Sequence, residues 1–148
     1  MAKRRANPKP RRPFRIVASC VCGTGVSAVI SKYLVRSLSG TDTGLFHNPP
    51  AEQAFYTKEG GFPYTVHVRG LKGEIGKRQL LKRDLENADL FVGIASPRLF
   101  KFHGRENLIP ELDRLRREGK VVDSLSDKLD YDTLRKQILQ RMRDREGG

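Results

Sequence analysis

FRIVASCVCGTGVSAVISKYLVRSL, residues Phe14–Leu38, runs from an apolar, β-rich stretch into a helical pattern through a few small residues. FRIVASCV reads as a short buried strand ended by glycines. VSAVISKYLVRSL places Val26, Val29, Ile30, Tyr33, Leu34 and Leu38 on one helical face, and Ser39-Gly40 stops it. Between the two lie Cys20, Cys22, Gly23, Thr24, Gly25 and Ser27. This crowding of thiols, hydroxyls and glycines at a strand-to-helix turn raises the question of chemistry.

The rest of the chain repeats the alternation. GTDTGLFHNPPAEQAFYTKEGGFP (40–63) is rich in Gly, Pro and polar residues and reads as a long surface excursion, with a short helix at PAEQAFYTK. YTVHV (64–68) alternates as a second strand, and KRQLLKRDLENA (77–88) reads as helix. DLFVGIA (89–95) follows as a third strand, apolar enough to be central and parallel. ENLIPELDRLRREGK is helical with Gly119 near its end, and VVDSL is a fourth short strand. DYDTLRKQILQRMRDRE closes as an amphipathic helix with Leu134, Ile138, Leu139 and Met142 inward and Asp130 or Asp132 as its cap. Strands alternating with helices predict a three-layer α/β sandwich around a central parallel sheet of about four strands. Ligands of such sheets bind beyond the carboxyl ends of the strands, where CVCGTGVS falls.

At 148 residues the chain is expected to form one domain, residues 14–148, preceded by an arm, residues 1–13. The formal net charge is +12. Lys3, Arg4, Arg5, Lys9, Arg11, Arg12 and Arg15 supply seven of those charges with no acid among the first 15 residues. With three prolines and no apolar period, this segment is expected to be extended, either a solubilising tail or an arm for RNA or DNA. No aromatic is interleaved with its cations, so base-specific reading is not expected. No apolar run reaches the roughly 20 residues of a membrane span, and no apolar region follows the basic start. Two cysteines one residue apart make no ordinary structural disulfide, and the expectation is reduced thiols and a cytoplasmic protein.

Gly23 and Gly25 let backbone N–H groups turn inward at a helix N-terminus, where the helix dipole adds positive charge. A cysteine at the base of such a nest has a lowered pKa, and the thiolate is the nucleophile. Thr24 and Ser27 are available as donors. The plainer alternative is a tight turn whose cysteines pack as small apolar residues. The loop is not a Walker A motif, since no Gly-Lys-Ser/Thr triplet follows. The cysteines and His47, His67 and His103 match no zinc spacing. A Cys-x-Cys redox pair is a further alternative.

With these residues in view, the chain resembles the low-molecular-weight protein tyrosine phosphatases. That family opens with a strand, a Cys-x5-Arg-Ser/Thr phosphate loop and a helix, the layout of RIVASCVCGTGVSAVISKYLVRSL. Its later phrase (D/E)LE-x-ADL(I/V)L is similar to GLKGEIGKRQLLKRDLENADLFVGIAS, from Gly70 through Ala95. Its Asp-Pro pair before the last helix corresponds to VVDSLSDKLDYDTLRKQILQRM, with Asp123 at the position of the general acid. The resemblance implies a phosphatase-like hydrolase of phosphotyrosine-type monoesters, needing no cofactor or metal. Cys22 is its nucleophile, with Cys20 as the alternative, and Gly23, Thr24, Gly25, Val26, Ser27 and Ala28 hold the phosphate.

The chain departs from the pattern in two places. Six residues past Cys22 stands Ala28, and six past Cys20 stands Val26, so neither register carries the arginine that clamps the phosphoryl group. Losing such a bidentate contact costs several orders of magnitude in rate. Arg36, Arg69, Arg78 and Arg98 are candidates to replace it, Arg98 first. Ser124 stands where the family has its proline. CGTGVSAV alone is also similar to the start of the IIB components of sugar phosphotransferase systems, which carry phosphoryl groups on cysteine without a loop arginine. Three functions therefore stand side by side: an impaired phosphatase, an inactive phosphatase-fold module binding nucleic acid or an acidic partner, and a phosphocysteine carrier.

Overall fold

A computed structural model describes residues 12–20, 26–40, 54–71, 78–123 and 131–147. The strand expected at the start is β1, Phe14–Cys20, and the helix that follows is α1, Val26–Ser39. β2 is Phe55–Tyr56, β3 Pro63–Gly70, β4 Arg78–Gln79, β5 Leu90–Gly93 and β6 Val121–Asp123. The remaining helices are α2 (Lys82–Glu86), α3 (Pro97–Phe102), α4 (Ile109–Arg117) and α5 (Tyr131–Gly147).

Among the described residues the strands form one mostly parallel sheet in the order β2-β3-β1-β5-β6, with β4 against β3. Only β2 runs antiparallel. The register sets Ile16 between Val66 and Leu90, and Val17 between His67 and Phe91. Because side chains alternate, β1 feeds two cores. Phe14 and Ile16 pack with Tyr64, Val66, Leu90 and Val92 of the sheet, Leu34, Val35 and Leu38 of α1, and Leu134, Ile138, Leu139 and Met142 of α5. Val17 and Phe91 pack with Leu85 of α2, Phe100 of α3, and Leu112 and Leu115 of α4. Burying a side chain of this size stabilises by about 1.5–3 kcal/mol, so both clusters matter to the fold.

Several local expectations are corrected. The short helix at 50–58 is not formed over its described part, where β2 pairs with β3 instead. The helix expected over 77–88 is shortened, because Arg78–Gln79 joins the sheet and the Leu80 N–H is held by the Gly70 carbonyl at 2.8 Å. The helix begins only after Leu81, whose N–H donates to Asp84 at 2.8 Å. On α1, Tyr33 is 45% exposed and Val35 takes the buried place. Asp132 lies inside the first turn of α5 rather than capping it, paired with Arg135 and Lys136. Asp130 lies outside the described residues.

The end of the basic arm belongs to the folded body. The Asp89 carboxylate accepts from the Arg12 guanidinium at 2.8 Å, the Arg15 backbone N–H at 2.8 Å and the Arg145 guanidinium at 3.3 Å. Arg145 also donates to the Arg12 carbonyl at 2.7 Å. The hydrogen bond to Asp89 raises the Arg12 pKa above its ordinary value. Residues 1–11 lie outside the described residues. No helix among the described residues is long and apolar enough to cross a membrane.

Candidate functional site

Adjacent parallel strands that send their next helices to opposite faces leave a crevice at their carboxyl ends. β1 and β5 are such a pair. The helix after β1, α1, packs in one core and the helices after β5, α3 and α4, pack in the other. Ser19 is level with Gly93, and Gly93 with Asp123, so the three strand ends form one edge. Cys20 ends β1 and is paired with Gly70 on its other side. Asp123 lies two strand spacings from Ser19, roughly 10 Å at the usual interstrand distance. Asp123 is partly buried and ends β6.

The contact between β1 and β5 is close at this edge. Gly93 has φ +152°, and the Ile94 N–H reaches the Ser19 carbonyl at 3.3 Å. The Ala95 carbonyl just beyond is held by the Arg116 guanidinium of α4. Ser96 then caps α3, its Oγ accepting from the Leu99 N–H at 3.4 Å, with Pro97 in the first turn. These contacts fix the turn beside the end of β1.

The sequence-derived site residues divide as follows. The structure brings together the strand ends that carry Cys20 and Asp123, and places Arg98 on the first turn of α3 beside that edge, exposed. Cys22, Gly23, Thr24 and Gly25 lie outside the described residues. The backbone of Val26, Ser27 and Ala28 forms the start of α1. Arg36 is ten residues along that helix, about 15 Å from its start at the usual rise, and is not at the edge. Arg78 is exposed on β4. Arg69 is buried in an ion pair. Arg98 and Arg78 are thus the exposed candidate clamps at this end of the sheet, Arg98 on the first turn of α3 and Arg78 on β4, level with Arg69 and Ser19.

A second set of polar groups was not recognised as a group in the sequence, where Arg15, His67 and Arg69 were considered separately and Thr65 and Asp84 not at all. Thr65, His67 and Arg69 alternate along β3, and Arg15, Val17 and Ser19 alternate opposite them on β1, facing α2. Asp84 of α2 is buried above them, with a carboxylate oxygen 3.3 Å from Arg69 Nε and the other 3.6 Å from an Arg15 nitrogen. One carboxylate therefore serves two guanidiniums and also caps its own helix. His67 is 2% exposed and hydrogen-bonded through Nε2 to the Thr65 hydroxyl at 2.8 Å, while its Nδ1 has no partner. Burial, and then the charges of Arg15 and Arg69, push its pKa down to about 4, so the ring is neutral near pH 7. The signal was present as a charge-bearing alternation in YTVHVRG. What sequence reasoning lacked was that α2 covers this face.

Comparison of the chain with protein-family models, curated proteins and solved structures found no match. Among the described residues no three His, Cys, Asp or Glu side chains are grouped to hold a metal.

Proposed function

We propose that the chain is a low-molecular-weight phosphatase-like protein that binds a phosphomonoester at the carboxyl ends of β1, β5 and β6 and hydrolyses it slowly through a cysteine. The observation that carries this reading is the topological switch between the parallel neighbours β1 and β5, with Cys20 at the end of β1 and Asp123 at the end of β6 beside β5. In the finer reading the fold is a phosphatase-like three-layer sandwich, supported by the two separate cores on the sheet.

The chemistry is covalent transfer. A cysteine thiolate forms a bond to phosphorus as the ester P–O bond breaks, and Asp123 gives its proton to the leaving oxygen. Water then attacks phosphorus as the Asp123 carboxylate takes its proton, the S–P bond breaks, and inorganic phosphate, the thiolate and the protonated Asp123 return. α1 begins at Val26, six residues past Cys20 and four past Cys22. Six is the interval from nucleophile to arginine in the resembling family, which supports testing Cys20 beside Cys22. Without a guanidinium at Val26 or Ala28, turnover falls by several orders of magnitude unless Arg98 takes that role.

The test is hydrolysis of a generic aryl phosphate at high enzyme concentration by wild type, Cys20→Ser, Cys22→Ser and Asp123→Asn. The proposal expects weak turnover, abolished by one of the serine variants and reduced by about 10²–10⁴-fold in Asp123→Asn. Turnover that survives both serine variants, or none at all in wild type, overturns it. A stable phosphocysteine formed only from a phosphotransferase-system donor would instead indicate the carrier.

A further inference from the structure

A cleft of about 550 Å³ opens at the amino ends of the strands, away from the cysteines. Arg12, Pro13 and Arg15 line it from the start of β1, Thr65 and His67 from β3, and Arg114 and Lys120 from α4 and its exit. Its volume is within the range of small-molecule sites and is sufficient for a mononucleotide. Its floor is formed by the buried Thr65 and His67 and the partly exposed Arg15.

Two features of that floor are unresolved by protein contacts. His67 Nδ1 and Arg15 Nε are both buried without a hydrogen-bond partner, although buried polar groups are normally satisfied. Asp84 also counterbalances only one of the two guanidiniums that share it, leaving a positive charge at the inner wall. Arg12, Arg15, Arg114 and Lys120 line the cleft with Glu86 and Asp89. Asp89 is engaged by Arg12, Arg145 and the Arg15 N–H, Arg114 is paired with Glu111 and Glu118, and Lys120 with Glu118. Arg15, sharing Asp84 with Arg69, is therefore the least compensated of the four. The cations are accessible: the Arg15, Arg114 and Lys120 side chains are 28%, 32% and 36% exposed.

From this we infer that the cleft is a second anion site, which takes the phosphate group of a small organic phosphate of mononucleotide size. Arg15 is its central guanidinium, Arg12 and Lys120 are the cations at its mouth, and His67 is a neutral partner at its inner end. A guanidinium suits a phosphate because its N–H groups match the oxygen spacing, and charge-assisted hydrogen bonds from the exposed parts of Arg15, Arg12 and Lys120 supply the affinity. In the tautomer whose Nε2 accepts from the Thr65 hydroxyl, Nδ1 of the neutral imidazole carries the proton and is a donor.

The imidazole resonances of His67 report the site, with those of His103 as the internal control. Full-length protein is titrated with inorganic phosphate and with adenosine 5′-monophosphate, against sodium chloride at matched ionic strength. A saturable His67 shift with either phosphate ligand, tighter than about 1 mM and absent with chloride, is expected. Binding should persist in Cys20→Ser/Cys22→Ser, which separates this site from the proposed catalytic one. It should weaken at least about tenfold in Arg15→Gln and in Arg12→Ala/Lys120→Ala, whose changes lie at the exposed mouth and spare the buried set. No saturable shift, a shift reproduced by chloride, or unchanged affinity in the folded mouth variant overturns the inference.

Discussion

Gly93 lies against the main chain of Ser19 so closely that a Cβ at residue 93 would stand 1.8 Å from the Ser19 carbonyl oxygen. Its φ of +152° is also one that side-chain-bearing residues rarely adopt. The obstacle is backbone, so no side-chain rotation relieves it. Gly93→Ala must push the ends of β1 and β5 apart, and it is expected to cost more than about 2 kcal/mol. Urea unfolding measures this. A loss below about 0.5 kcal/mol would mean that the two strand ends are not held together as described.

Asp84 lies between two guanidiniums in a buried place. Asp84→Asn leaves Arg69 without its counter-charge and is expected to destabilise by about 3–5 kcal/mol. The double variant Asp84→Asn/Arg69→Met removes both charges and should be less destabilised than the sum of the single variants. Additive losses would contradict the pair as an energetic unit.

His67 couples stability to pH. Its pKa is about 4 in the fold against an ordinary 6.5, because burial and the adjacent arginines disfavour the imidazolium. The unfolded chain therefore binds the extra proton first, and stability rises with pH across this window. The contribution is complete above about pH 6.5 and is lost as pH falls toward 4, amounting to about 2 kcal/mol between pH 7 and pH 5. Denaturant unfolding of wild type and His67→Gln isolates it from the carboxylates. The difference between the two proteins should shrink on acidification, and a constant difference would refute the assignment.

The arm offers a separate check on the nucleic-acid reading. Arg12 is anchored to Asp89, so the cations to remove are Lys3, Arg4, Arg5, Lys9 and Arg11. If the arm meets RNA or DNA, deleting residues 1–11 should flatten the slope of log affinity against log salt by up to about 4. An unchanged slope, or no binding at low salt, removes nucleic acid as the partner of the arm.

The sequence disclosed most where local preference and tertiary demand agree. β1, α1, β5 and β6 carry the pattern of their place, and Leu134, Ile138, Leu139 and Met142 are all buried as their spacing requires. Errors arose where the sheet overrode the local pattern: Arg78–Gln79 left a helical pattern for an edge pairing, and Phe55–Tyr56 did the same. α3 was missed although Ser96-Pro97 is an N-terminal signal, because its six residues are too short for periodicity. A strand at Asp123 followed from the βα alternation, read over VVDSL and described as Val121–Asp123. The Arg15–Asp84–Arg69 contact did not, since polar alternation on a strand ordinarily faces water and only packing of α2 buries it.

The central claim is that the carboxyl-end edge holds an oxyanion beside a cysteine sulfur. A crystal structure grown with vanadate, which mimics the phosphoryl group in transfer, tests it most directly. The account predicts vanadium bonded to Sγ of Cys20 or Cys22, with Asp123 on the leaving-oxygen side. Cysteines bare of ligand, with the edge closed by main-chain hydrogen bonds of its own, would contradict it.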